Sequence, residues 1–323
     1  MIKVNRVLHG ILVTPNTYQF VMDILLPGIE SHIDELAGPS ECNGPRYDYT
    51  LHLYCQGFTQ AQQVAITKDV DVITRRSNVH SILNFADFMS IDQLGGNWVR
   101  SRVRSLVRGY DYYIVTDDDF EFVKNSFKAY RECLDHLVAN SDCASIMCAG
   151  ALGSGGRQDF EVAPYRGLLW TNRGCVYRNL ELVMPDDYNT VVANKLLEME
   201  TSIFDDISIQ MYPMRHGFYT AKQFKNPTRH YHMPPPATAE MLNSPRIPAR
   251  VRPYFQYKVG RSAVYDFEAW NGSDECDLFR EMTDVAKATT IDYSSVGNLM
   301  VCSKSFLATY RAAAIERFGE AKL

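Results

Sequence analysis

The chain has 323 residues, 46% of them hydrophobic and 22% charged, with a formal net charge of −5. That composition excludes intrinsic disorder, which needs low hydrophobicity and high net charge, and it confines any affinity for nucleic acid or membrane to a local patch. No apolar run approaches the roughly 18–20 residues that span a bilayer. The opening Met1–His9 has neither a long apolar run nor a small-residue cleavage site, so a cytoplasmic protein without a signal peptide is expected. Eight cysteines, at 42, 55, 133, 143, 148, 175, 276 and 302, form no C-x-x-C pair and read as reduced, mostly buried thiols.

Taken in chain order, Val7–Val13 is a short apolar run stopped by Thr14-Pro15-Asn16, the mark of a first buried strand. Tyr18–Leu36 carries apolar residues at helical spacing. Tyr49–Cys55 alternates and is rich in β formers, so it reads as a second strand, and Asp69–Thr74 as a third. Asn97–Arg108 is predicted helical, with Gly109 at its C-terminal end. Tyr112–Thr116 is a fourth strand, running directly into Asp117, Asp118 and Asp119. Ser145–Gly150 and Gly167–Thr171 are further strand candidates, and Asn194–Met199 is a short helix candidate.

Alternating strands and helices predict an α/β domain with a mainly parallel sheet. Ligands in such sheets gather at the carboxyl ends of the strands, which is where the aspartate triplet falls. Adjacent carboxylates repel and raise one another's pKa. A divalent cation relieves that conflict, and hard carboxylate oxygens suit Mg²⁺ or Mn²⁺. In extended backbone, alternate residues point the same way, so Asp117 and Asp119 can share a face. A second acidic pair stands at Asp205-Asp206, and two acids at a helix start are favoured by its dipole. His230 and His232, two apart, share a strand face if extended; imidazole can ligate Mn²⁺ or donate to phosphate.

The ordered set of an Arg-bearing helix (Gly96-Asn97-Trp98-Val99-Arg100-Ser101), a glycine, a buried strand and Asp-Asp-Asp resembles the GT-A fold. It is most similar to the family-2-like inverting, D-x-D, metal-dependent glycosyltransferases. The resemblance covers about Val7 to His232. It implies a Rossmann-like mixed sheet flanked by helices, a catalytic domain over 1–235, and a C-terminal extension over 236–323 that packs on it as lid or acceptor-binding piece. It implies Mn²⁺ or Mg²⁺ on Asp119 and Asp117, with His232 as a further ligand. It also implies a nucleotide-sugar donor, UDP-linked, contacted by Arg100, Arg104, Asp117, Asp118, Gln56 and His230, with Arg102 a near alternative. Asp206, with Asp205 as alternative, is the implied general base for an inverting hexosyl or pentosyl transfer. The chain departs from the family in three places. Ser101 stands where Asn is usual, Pro213 interrupts the helix after the acidic pair, and the second strand ends in Gln56 rather than an acid, leaving Asp69 or Asp71 as other base readers.

Pro245–Arg261 holds five basic residues and no acid, interleaved with aromatics. Such a stretch suits an anionic polymer, or else forms a lid over the donor diphosphate. The first use resembles the viral enzymes that glycosylate hydroxymethylated pyrimidines in DNA, placing the protein in a microbe or a virus-infected cell. A nucleotidyltransferase and a non-catalytic nucleotide-sugar binding module are the rival classes. If the 246–261 segment binds DNA, retention on a duplex falls steeply as salt is raised, because each neutralised phosphate releases counterions; retention indifferent to salt removes the DNA acceptor.

Overall fold

The computed structural model describes residues 3–38, 44–76, 78–86, 109–150, 175–179, 213–214, 216–231, 248–255, 293–296, 299–302 and 304–319. Among these, no helix is long and apolar enough to cross a membrane. The expected segments Asn97–Arg108, Gly167–Thr171 and Asn194–Met199 lie outside the described residues.

The first strand, β1 (Val4–Val13), lies between two parallel neighbours, β2 (Arg46–Gln56) and β4 (Tyr112–Asp117). A third, β3 (Val79–Ala86), continues the parallel set beyond β2. Past the two-residue β5 (Phe120–Glu121) come β6 (Cys143–Gly150), β7 (Cys175–Arg178) and β8 (Tyr219–Asn226). Antiparallel β7 sits between β4 and β6, and β8 runs parallel to β6. A second two-residue strand, β9 (Arg229–His230), pairs with β5. Two late strands, β10 (Tyr293–Val296) and β11 (Leu299–Cys302), pair antiparallel with each other and extend the same sheet through β11, which is antiparallel to β8. The order is β10-β11-β8-β6-β7-β4-β1-β2-β3. This is a mixed, mainly parallel, helix-flanked sheet, and it draws residues from beyond 235 into its own edge.

The helices are α1 (Tyr18–Phe20), α2 (Leu26–His32), α3 (Asp34–Ala37), α4 (Gln60–Thr74), α5 (Ser126–Ala139), α6 (Arg252–Phe255) and α7 (Lys304–Phe318). A π-helical turn, Val21–Leu25, joins α1 to α2. Pro27, in the first turn of α2, has no N–H to give the carbonyl four residues back, and such local rewinding accompanies missing rungs. Phe20, Val21, Leu25, Ile29, Ile33 and Leu36 form one buried stripe through this stretch. Gly28 faces the backbone directly after β5: a Cβ there would meet the Phe122 carbonyl oxygen at 2.7 Å. The helix therefore lies against the loop that carries the site.

Asp69–Thr74 is not a strand; it is the last part of α4. Thr59 and Gln62 form a reciprocal capping box that starts the helix at Gln60. Ile66, Val70 and Ile73 then fall at helical spacing on the buried face, while Asp71 and Val72 are exposed. The two-residue alternation of Asp-Val-Asp-Val imitated a strand. The helix also carries Asp69 and Asp71 away from the carboxyl end of β2, so neither stands where a strand-end base reader would. Downstream, a helical turn at Pro213-Met214 closes at Gly217 (φ 86°). Gly217 N–H donates to Met214 O and Phe218 N–H to Pro213 O, both at 3.1 Å. These are the paired bonds of a Schellman cap.

The core holds an imidazole. His9, in mid-β1, is fully buried and hydrogen-bonds the Tyr49 hydroxyl through Nδ1 and Thr116 Oγ1 through Nε2, the latter at 2.7 Å. Phe122, Phe127 and Tyr130 surround it. Burial pushes its pKa from 6.5 down to about 3, so it stays neutral in the fold. The unfolded chain takes up a proton at this position near pH 6.5, whereas the folded chain does so only near 3. The stability contributed by the neutral ring is complete above pH 6.5 and is lost as pH falls toward 3. His52, also buried and pushed down to about 4, acts in the same direction. Thermal melts should therefore show stability falling by up to about 1.4 kcal/mol per pH unit for each ring below pH 6.5. His9→Gln, whose amide can still bond both hydroxyls, should flatten that slope.

Candidate metal centre

Asp117 closes β4, Asp118 and Asp119 make the turn, and β5 leaves it directly. β9 returns antiparallel beside β5, pairing Phe120 with His230 and Glu121 with Arg229. The Tyr231 N–H donates to the Asp119 carbonyl at 3.1 Å, locking the turn to the returning strand. This small ladder brings His230, 111 positions beyond Asp119 in sequence, onto the aspartates. Its Nε2 lies 3.2 Å from Asp119 Oδ1 and 3.9 Å from Asp117 Oδ2. One ligand atom from each of Asp117, Asp119 and His230 falls within 4.8 Å of the others. The Phe120 ring stacks on the imidazole, with centroids 4.4 Å apart and planes 20° from parallel.

Burial is uneven across the cluster. The side chains of Asp119 and His230 are 4% and 6% exposed, and that of Asp117 is 18% exposed. The group is therefore closed on the Asp119–His230 side and open toward Asp117. Two carboxylates held this close in a poorly solvated place repel strongly. The imidazole offsets part of that charge when protonated. A divalent cation offsets more, and two carboxylate oxygens with one imidazole nitrogen form a donor set that fits Mn²⁺ or Mg²⁺, leaving coordination positions for other oxygens.

Asp118, in the turn itself, points elsewhere, toward the segment after β1. Its Oδ2 accepts from Thr14 N–H at 3.1 Å, from Thr14 Oγ1 at 3.4 Å and from Thr17 Oγ1. Residue 117 pairs with Leu12 in the β1–β4 register, which sets Asp118 beside the end of β1. The carboxylate thus ties the turn after β1 to the turn after β4. It also lies near the Cys55 thiol, which burial, and then the Asp118 charge, push up to about 12. Among the described residues, Cys55, Cys133, Cys143, Cys148 and Cys175 are buried.

Of the residues singled out from sequence, the fold brings Asp117, Asp119 and His230 together. Gln56 ends β2, two strands from β4 and at the same carboxyl edge. Arg100, Arg102, Arg104, Asp205, Asp206 and His232 lie outside the described residues. In the basic segment, Arg250 donates to Glu121, and Tyr254 Oη donates to Asp23 Oδ2 at 3.0 Å. Glu121, Thr14 and Thr17 were not foreseen. The threonines flank the Pro15 turn that stops β1, and Glu121 repeats the two-residue acidic spacing of Asp117 and Asp119.

The fold and the cluster define an α/β protein with a carboxylate–imidazole centre at its strand ends. No family model matches the chain, and no curated protein does. Among solved structures it is similar to a mannosyltransferase from Pyrobaculum calidifontis in complex with GDP-Man and Mn²⁺. The identity is 11%, covering 98% of this chain and 87% of that one, with a TM-score of 0.43. A likeness at that level assigns no residue.

The geometry separates Asp118 from its neighbours. Asp118→Ala should cost about 1–3 kcal/mol of stability by leaving Thr14 N–H unpaired, read as a lower melting temperature, with Mn²⁺ affinity unchanged. Loss of Mn²⁺ binding at unchanged stability would put this carboxylate on the metal instead.

Proposed function

We propose that the chain is a metal-dependent glycosyltransferase, moving a sugar from a nucleotide-sugar donor to an acceptor hydroxyl. The observation that carries this reading is the convergence of Asp117, Asp119 and His230 at the carboxyl edge of a mainly parallel α/β sheet. Asp117, Asp119 and His230 would hold Mn²⁺ or Mg²⁺, with His232 the alternative imidazole. When bound, such an ion neutralises charge building on the leaving diphosphate.

The remaining roles follow from the chain's own residues. Arg100 and Arg104 donate to the diphosphate, for which a guanidinium fork is suited. Gln56, at the end of β2, would hydrogen-bond the donor base, proposed as uracil, and Asp118 holds the turn after β1. Asp206, with Asp205 as alternative, takes the proton from the acceptor hydroxyl as that oxygen attacks the anomeric carbon. Attack from the face opposite the leaving diphosphate inverts the anomeric configuration. The transferred unit is a hexose or a pentose. A hydroxymethylated pyrimidine in DNA as acceptor rests on the basic 246–261 segment, of which Arg250 is engaged by Glu121.

A panel of uridine- and guanosine-diphosphate sugars with Mn²⁺, read by nucleoside diphosphate release, tests the reading. Turnover should vanish with a chelator and return with Mn²⁺. Asp119→Asn and His230→Ala should each lower it by at least about a hundredfold, since removing a metal ligand removes the charge stabilisation it supplies. Release of pyrophosphate from nucleoside triphosphates would reassign the site to nucleotidyl transfer. A nucleotide-sugar thermal shift without turnover would make it a binding module. Full activity in Asp119→Asn would remove the metal assignment.

A further inference from the structure

Glu121 has no part in the chemistry above, yet it is a buried acid two residues past Asp119. Its side chain is 10% exposed. Oε2 accepts from the Tyr231 hydroxyl and from Arg229 Nη1, the latter at 3.4 Å, and Oε1 accepts from Arg250 Nη2. Arg229 and Tyr231 are the two residues on either side of His230. In extended backbone they share one face and His230 takes the other. The opposing strand repeats the division, with Glu121 on the face of Arg229 and Tyr231, and Phe120 against the imidazole. The β5–β9 ladder therefore has a charged, clamped face and a metal-directed face.

The third donor comes from far along the chain. Arg250 belongs to a segment, 248–255, seated on the same region. Its Val251 is fully buried, and its Tyr254 bonds Asp23 and meets Phe20 edge-on at 5.8 Å. Charge-assisted hydrogen bonds to a buried carboxylate are strong and directional. Glu121 is the buried member of the set, with Arg229 and Arg250 39% and 47% exposed, so losing a donor leaves its carboxylate less compensated. Beside the β5–β9 pairing and the Tyr231 N–H bond to the Asp119 carbonyl, this side-chain clamp fixes where the outer face of the two-residue strand presents His230.

We propose that Glu121 is a positioning residue for the metal centre: by gripping Arg229 and Tyr231 beside His230, and Arg250 of the 248–255 segment, it sets the imidazole against Asp117 and Asp119 and couples that segment to metal affinity. The proposal rests on reading Asp117, Asp119 and His230 as metal ligands. Groups that hold a metal ligand in place without touching the metal commonly change affinity by about 10–100-fold when lost.

The test measures Mn²⁺ affinity on the full-length, donor-free protein from the electron paramagnetic resonance signal of free Mn²⁺, with circular dichroism to report the fold. Glu121→Gln should raise the Mn²⁺ dissociation constant by about tenfold with secondary structure unchanged. Arg250→Met should shift it in the same direction, and Arg250→Lys should restore most of the loss. Asp119→Asn should abolish binding. If Asp119→Asn binds Mn²⁺ as the parent does, the metal reading itself is wrong. If Asp119→Asn loses Mn²⁺ while Glu121→Gln and Arg250→Met keep parental affinity, the centre stands and the positioning role is overturned. Should Glu121→Gln not fold, the partly exposed Arg250 gives the answer through its Met and Lys variants by the same criterion.

Discussion

The arrangement depends on one electrostatic constraint: two carboxylates, Asp117 and Asp119, are held side by side where a buried strand ends, with little water to screen them. Like charges in that setting separate, protonate or acquire a counter-charge. Here protein closes one side, where His230 Nε2 stands 3.2 Å from Asp119 Oδ1, and the other side, at Asp117, is open. A group closed on one side and open on the other is suited to sharing a cation with a second set of oxygens, which is what a phosphate-bearing substrate offers.

Four acids within five residues divide the work between them. Asp117 and Asp119 converge with the imidazole. Asp118 faces β1 and is consumed by Thr14 and Thr17, so the loops after two adjacent strands become one unit. Glu121 faces the opposite side of the β5–β9 ladder and gathers Arg229, Tyr231 and Arg250. Each carboxylate thus has its own set of donors, and the like charges are spread over three directions instead of competing for one. Phe120 and Phe122, between them, carry apolar surface into the core at His9 and His230.

Parts of this were legible in the chain itself. The runs Val7–Val13, Tyr49–Cys55 and Tyr112–Thr116 are buried on both faces of a parallel sheet and read as continuous or β-rich apolar stretches. Their strands came out one to three residues longer at an end but in place. Asp69–Thr74 misled because a two-residue alternation was weighed without the capping box ten residues earlier, which committed the segment to α4. The true third strand, Val79–Ala86, borders solvent at the sheet edge, and its half-exposed pattern, with Ile82 exposed, sends a weaker signal. Strands β10 and β11 are four residues each, too short for periodicity to register, and it is pairing with each other and, for β11, with β8 that makes them strands.

The amino-acid sequence by itself determined the class of sheet and the end of β4 as the place where carboxylates gather, because periodicity and like-charge repulsion are local properties that act between near neighbours. It also named both aspartates and a histidine of the cluster. Tertiary structure alone decided that His230 meets them, that Asp118 turns to Thr14, and that Glu121 joins a segment 129 positions away to the site. Those choices are set by the pairing of two-residue strands and by buried hydrogen bonds between distant segments. Neither leaves a periodic trace in the chain.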